Sequence, residues 1–183
     1  LSLTEGLTWA GQFLNIESDE GKIEEARDFV IKRLEVQLRE DGFRHDVVQA
    51  VLAEQGDNPF RAAASVKELT AIVASEDWNE TFTAWSRVKR ITRPLEKQLP
   101  LTAADDTEKE TQKLYELFQK TVTKKPGSLG EFKEMADALR DQVNRFFDIV
   151  MVMAEDEKLR SARLSLLQRI AELPDGLADL TCL

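Results

Sequence analysis

Apolar residues recur at three- and four-residue intervals almost throughout this chain, and strand-like alternation is nearly absent. From about Lys22 to Glu40 the stripe is Ile23, Ala26, Phe29, Val30, Leu34 and Leu38. Gly42 ends that helix by accepting a left-handed backbone. A short helix carries Val47, Val48, Val51 and Leu52, and Gly56-Asp57-Asn58-Pro59 stops it. Asn58 caps the next helix, with Pro59 at the first position, where its missing N–H costs nothing. That helix runs through Phe60, Ala63, Val66, Leu69 and Val73. Asp77 is placed to cap a helix whose apolar side is Trp78, Phe82, Trp85, Val88, Ile91, Leu95 and Leu99. Pro94 falls inside it and predicts a kink or an early end, because it cannot donate to the Arg90 carbonyl. Another helix is expected over about Ala103 to Lys124, ended by Lys125-Pro126-Gly127-Ser128.

The most regular stripe is Phe132, Ala136, Leu139, Val143, Phe146, Val150 and Met153, a seam of roughly 30 Å at the helical rise. A turn is expected near Glu155-Asp156, with Asp156 capping a last helix through Leu159, Leu166, Leu167, Ile170 and Leu173. Pro174-Asp175-Gly176 closes it, and Leu177, Leu180 and Leu183 suggest a tail that packs down again. The pattern predicts an all-α helical bundle of about seven helices and no sheet. A boundary near Ser75–Asp77 divides an acidic helical segment, 1–77, from a helical domain, 78–183.

The chain has 183 residues, enough to bury a core without disulfides or a metal. Its one cysteine, Cys182, excludes an intramolecular bridge and suits a reducing cytosol. No apolar run approaches the ~18 residues a membrane span requires, and no secretory signal is evident. The first residue is Leu1, not methionine, so either processing removed a start or the chain is a piece of a longer protein, and the second is expected. Net charge is −9, which taken whole argues against nucleic acid. The distribution changes that picture. Residues 1–77 carry 8 basic and 16 acidic side chains, residues 78–125 carry 10 and 7, and residues 126–183 carry 7 and 11. A polyanion is expected to meet the middle region.

Candidate chemistry is sparse. His45 and Cys182 cannot build a zinc site, and no Gly-rich phosphate loop is present. Acidic pairs such as Glu24/Glu25 and Asp105/Asp106 read as helix-start charges. No active site and no cofactor are expected in this fragment. On the helix from Trp78, Arg90, Arg93 and Lys97 fall within an arc of roughly 60°, with Lys89 at its margin. Such a face can follow phosphates, and arginine can also stack on an unpaired base; a solvated helix face is the plainer reading. Lys120, Lys124 and Lys125 form a second cluster, which a helix C-terminus alone explains. Trp78, Phe82 and Trp85 have core spacing, and Met151 and Met153 read as packing. Asp156 and Arg160 are spaced for an ion pair. Arg160 and Arg163 either lock the final helix turn or touch RNA.

Two stretches carry a family resemblance. One is Phe146-Phe147-Asp148-x-Val150-Met151-Val152-Met153-Ala154-Glu155-Asp156-x-x-Leu159-Arg160-x-x-Arg163-Leu164-x-Leu166-Leu167. The other is Phe82-x-x-Trp85-x-Arg87-Val88-Lys89-Arg90-Ile91. A weaker match covers Phe29 to Ala53. Together they resemble the C-terminal region of the bacterial-type glycyl-tRNA synthetase β subunit. Related helical anticodon modules of arginyl- and cysteinyl-tRNA synthetases share parts of the pattern. The resemblance implies an anticodon-binding domain in a cytoplasmic, ATP-dependent ligase that attaches glycine to its tRNA. It implies glycine-accepting tRNA, the α subunit and the rest of the β subunit as partners, with neither membrane nor DNA. Arg87, Lys89, Arg90, Arg93, Lys97, Lys124, Lys125, Arg160 and Arg163 are then the candidate tRNA contacts. Two departures are Pro94, where the family's helix continues, and Arg93, where a small polar residue is more common. A structural or subunit-interaction module, or the anticodon domain of an arginyl-type synthetase, are the alternative readings.

Overall fold

The computed structural model describes residues 2–14 and 19–183, and among these there are eight α-helices and no strand. They are α1 (Leu3–Phe13), α2 (Glu20–Glu40), α3 (His45–Gln55), α4 (Pro59–Val73), α5 (Trp78–Thr92), α6 (Lys109–Thr121), α7 (Leu129–Ile149) and α8 (Glu157–Ala171). Single 3-10 turns lie at Ala103–Asp105 and Leu180–Cys182. The all-α expectation holds, with α1 as the helix that periodicity did not reveal. The chain forms two compact units, Leu1–Ala71 with Asp175–Leu183, and Ile72–Pro174.

In the first unit, α1 packs on α2, α2 on α3, and the C-terminal turn on α3. Ser2 caps α1 through the Glu5 N–H, and the Ser2 and Thr4 hydroxyls donate to Asp57. Val47, Val48, Val51, Val66, Leu69, Leu177 and Leu180 are buried. The buried Gln55 amide is satisfied by Ser65 and by the Leu177 carbonyl, which ties the returning tail to α3. Gly42 has φ 93 and Gly176 has φ 77, so both turns use the left-handed backbone that glycine tolerates. Asn58 accepts from the Arg61 N–H at 3.1 Å, as a cap should. Phe29 and Phe60, expected to face the core, are exposed instead.

In the second unit, α7 is the central element. Phe132, Ala136, Leu139, Val143 and Phe146 line its buried side. Removing a phenylalanine side chain from water contributes about 2–3 kcal/mol, which holds such a helix in place. Ser128 caps α7 through the Glu131 N–H, and Glu131 reaches back to the Gly127 N–H at 2.9 Å, a variant of the capping box. The seam stops short of the sequence expectation. Helix α7 ends at Ile149, and Val150 is extended with φ −97 and ψ 124. The β-branched Ile149, Val150 and Val152 resist continuing the helix. The link to α8 therefore occupies 150–156, with Asp156 capping α8 through the Lys158 and Leu159 N–H groups.

Pairs that advance together show that α5 and α7 run parallel: Lys133 with Asp77, Thr81 with Asp137, and Arg87 with Phe147. Helix α6 runs antiparallel to α7, because Glu110 meets Gln142 whereas Lys124, just past α6, meets Glu131. Two expectations about helix starts fail. Asp77 makes no side-chain cap and instead accepts from Lys133 at 2.7 Å. The helix expected from Ala103 begins only at Lys109. Asp106 is extended, and its carboxylate takes the Glu108 N–H, competing with helical bonding.

Candidate nucleic-acid interface

Helix α5 buries Trp78, Thr81, Ala84, Trp85, Val88 and Thr92. That leaves Arg90 exposed and Arg87 and Lys89 half-buried. The Arg87 guanidinium carbon lies 4.6 Å from the centre of the Phe147 ring, a cation–π contact that holds this side chain over α7. Arg93 is the C-cap, its N–H donating to the Lys89 carbonyl at 2.9 Å. Arg90 and Arg93 enter no ion pair among the described residues.

Pro94 ends the helix rather than kinking it, and the predicted arc of three cations is thereby split. The chain turns at Leu95, whose N–H donates to the Thr92 carbonyl. It then runs along α8. Gln168 grips this segment at two points, donating to the Lys97 carbonyl at 3.1 Å and accepting the Leu99 N–H at 2.8 Å. Arg169 donates to the Leu99 carbonyl. Lys97 is exposed and lies past the end of α5, so it does not continue the helical arc of Arg90 and Arg93. Gln98 lines a groove of about 380 Å³ with Phe118, Lys124, Lys125 and Arg169. Lys124 pairs with Glu131 at 3.2 Å, and Lys125 is exposed. The structure thus sorts the candidate cations into two places. Arg87 sits at Phe147 and Lys124 at Glu131, about 24 Å apart along α7 at the helical rise.

The arginines of the terminal motif are engaged differently. Arg163 is buried: its Nε donates to Asp106 Oδ2 at 2.7 Å and its Nη1 to the Met151 carbonyl at 2.8 Å. Burial pushes the Asp106 carboxyl up, but hydrogen bonds from Arg163 and the Glu108 N–H outweigh it and hold the group below its ordinary value. Asp106 is therefore a buried anchor and not a helix-start charge. Nothing local announces this, since its partner lies 57 residues away. Arg160 donates to the Ala154 carbonyl at 2.9 Å and lies 3.5 Å from Glu157, in place of the predicted pair with Asp156. A second network missed in the sequence centres on Glu110, which meets Lys113 at 2.8 Å and Arg145 at 3.0 Å. Hydrogen bonds from Lys113 and Gln142, followed by the charge of Arg145, bring its carboxyl down to about 2.

The remaining sites are poor in chemistry. His45 faces Glu35 at 3.6 Å on the surface. Among the described residues no group of three or more His, Cys, Asp and Glu could hold a metal ion, and no helix is long and apolar enough to cross a membrane. A hollow of about 630 Å³ at the start of α8 is lined by Asp105, Asp156 and Glu157 with one cation, Lys158. The capping carboxylate of Asp156 already takes the helix N–H groups there.

No family model matches the chain. Curated relatives do. The glycine–tRNA ligase β subunit of Moorella thermoacetica is 35% identical over 162 residues, covering 85% of this chain and 23% of that protein. The β subunit from a Sulfurihydrogenibium species is 32% identical over 162 residues, covering 84% and 24%. A chloroplastic/mitochondrial glycine–tRNA ligase of Arabidopsis thaliana is 32% identical over 166 residues, covering 88% and 16%. The chain thus spans about a quarter of the length of these bacterial relatives. Its terminal motif, its helical architecture and these identities agree: the chain belongs to the glycine–tRNA ligase β-subunit family, as a homologue of its C-terminal region.

Proposed function

We propose that this chain is the tRNA-reading part of a glycine–tRNA ligase β subunit. It binds the anticodon region of glycine-accepting tRNA and supports ATP-dependent attachment of glycine, while the chemistry is done elsewhere in the enzyme. The observation that carries the reading is the C-terminal end of α5, where Arg90 and Arg93 are exposed and unpaired among the described residues. Each phosphate such a side chain neutralises releases condensed counterions, which makes affinity fall with salt. The proposed partners are tRNA, the α subunit and the rest of the β subunit, in a cytoplasmic setting without membrane or DNA contact. No cofactor is assigned to the fragment. Arg163, committed to Asp106, is left out of the proposed RNA face.

The test is filter binding of the chain to glycine-accepting tRNA over a salt series. Arg90→Ala with Arg93→Ala should lower the magnitude of the salt slope by roughly 1.5–2. Unchanged affinity and slope in that variant would move the site away from α5.

A second reading applies to the first unit. Trp9, Phe13, Phe29 and Phe60 are exposed on an otherwise acidic set of helices. Exposed aromatics of this kind suit contact with further protein, such as the remainder of the β subunit. Co-purification with that remainder, lost on Phe13→Ser with Phe29→Ser, is the corresponding check.

A further inference from the structure

We propose that the segment between α7 and α8 is a platform for unstacked RNA bases, with Ile149, Met151 and Met153 as its contact side chains. The proposal rests on the tRNA reading above and assigns the base contacts to residues outside the basic face. Ile149, Met151 and Met153 are 55%, 74% and 59% exposed. Three large apolar side chains in five residues are thus turned to water.

This exposure is built into the backbone. Val150, which is extended, and Val152 are buried, so inward valines alternate with outward methionines along this non-helical segment. The segment is pinned from behind at two carbonyls: the buried Arg163 donates to that of Met151 at 2.8 Å and Arg160 to that of Ala154 at 2.9 Å. The buried valines and the tied carbonyls fix the backbone that displays the methionines.

Charge identifies the occupant. Helices α5 and α7 run parallel, with Arg87 on Phe147. The next turn of α5, carrying the exposed Arg90 and the C-cap Arg93, therefore comes level with the end of α7. Asp148, Glu155, Asp156 and Glu157 also stand exposed in or beside this stretch, so the cations come from α5 and not from the segment itself. An apolar strip beside arginines is what a single-stranded RNA loop needs. Bases rest on polarisable or aromatic side chains, while the phosphates follow the cations. A stable protein interface needs roughly 800 Å² from each partner, more than three side chains supply.

The probe is an RNA stem-loop with the anticodon-arm sequence of glycine-accepting tRNA, carrying 2-aminopurine at one loop position. A fully paired duplex of the same length is the comparison. The chain should bind the stem-loop at least about tenfold more tightly than the duplex, with a change in 2-aminopurine fluorescence. Met151→Ser with Met153→Ser should erase both the preference and the fluorescence change while leaving the salt slope intact. Met151→Leu with Met153→Leu should keep them. Both sites are exposed, and an unchanged circular dichroism spectrum verifies folding. If the serine variant keeps the loop preference, the platform is wrong and the α5 reading stands. The platform is also wrong, with α5 still in place, if wild type binds both RNAs equally with a steep salt slope. If the serine variant binds RNA normally but loses self-association in sedimentation, the strip is a protein interface and the proposal falls. If wild type binds neither RNA, this proposal and the tRNA reading fall together.

Discussion

Arginines do different work in two regions of the second unit. At the start of α8, Arg163 is buried and bonded to Asp106 and to the Met151 carbonyl, and Arg160 holds the Ala154 carbonyl. At the end of α5, Arg90 and Arg93 are exposed and enter no ion pair among the described residues. The α8 region carries the motif that identifies the family, whereas the α5 region carries cations available to a ligand. The recognisable residues of α8 therefore serve to fix a loop, and the cations left exposed lie elsewhere.

The sharpest test of this contrast is Arg163→Ala. It leaves Asp106 buried without its counter-charge, which costs about 3–5 kcal/mol. The unfolding midpoint should drop by roughly 6–20 °C in a circular dichroism melt. Arg163→Ala with intact stability and lost tRNA binding would reverse the assignment.

Acid should act on the same structural side of the contrast. The carboxyls of Asp106 and Glu110 are both held below their ordinary values, Glu110 at about 2. Depressed carboxylates stabilise the fold fully above their unfolded values, and that stability is lost as pH falls towards the folded ones. Melting temperature should therefore hold steady down to about pH 5, then decline through pH 4 towards 2. Glu110→Gln should flatten part of that decline, and an unchanged acid limb would remove Glu110 from the network's role.

The smallest effect on stability is expected at α5. Arg90→Ala with Arg93→Ala should change unfolding free energy by no more than about 0.5 kcal/mol, since exposed side chains without partners contribute little. The same variant carries the tRNA salt-slope test. A loss of several degrees in its melt would make these arginines structural and erase the comparison.

Much of the architecture is legible in the sequence because its causes are local. Asn58, Ser128 and Asp156 each meet backbone N–H groups two or three residues away. Gly42 and Gly176 supply the left-handed turns. The 4-3 spacing marks α7 correctly as far as Phe146. Beyond it, Val150 and Met153 happen to continue the helical count although the helix has ended at Ile149. The Val-Met-Val-Met alternation was the competing signal. Pro94 is legible as a break, but the path after it depends on Gln168, 69 residues from Leu99.

The sequence by itself therefore determined the helical class, most helix ends and the family, because caps, glycine turns and periodicity act within a few residues. Only the tertiary structure decided which arginines are spent and which remain exposed. It also decided where Lys97 goes and that the methionines face water. Those outcomes depend on partners brought together by packing, such as Asp106 with Arg163 and Glu110 with Arg145. No local interaction encodes such a meeting.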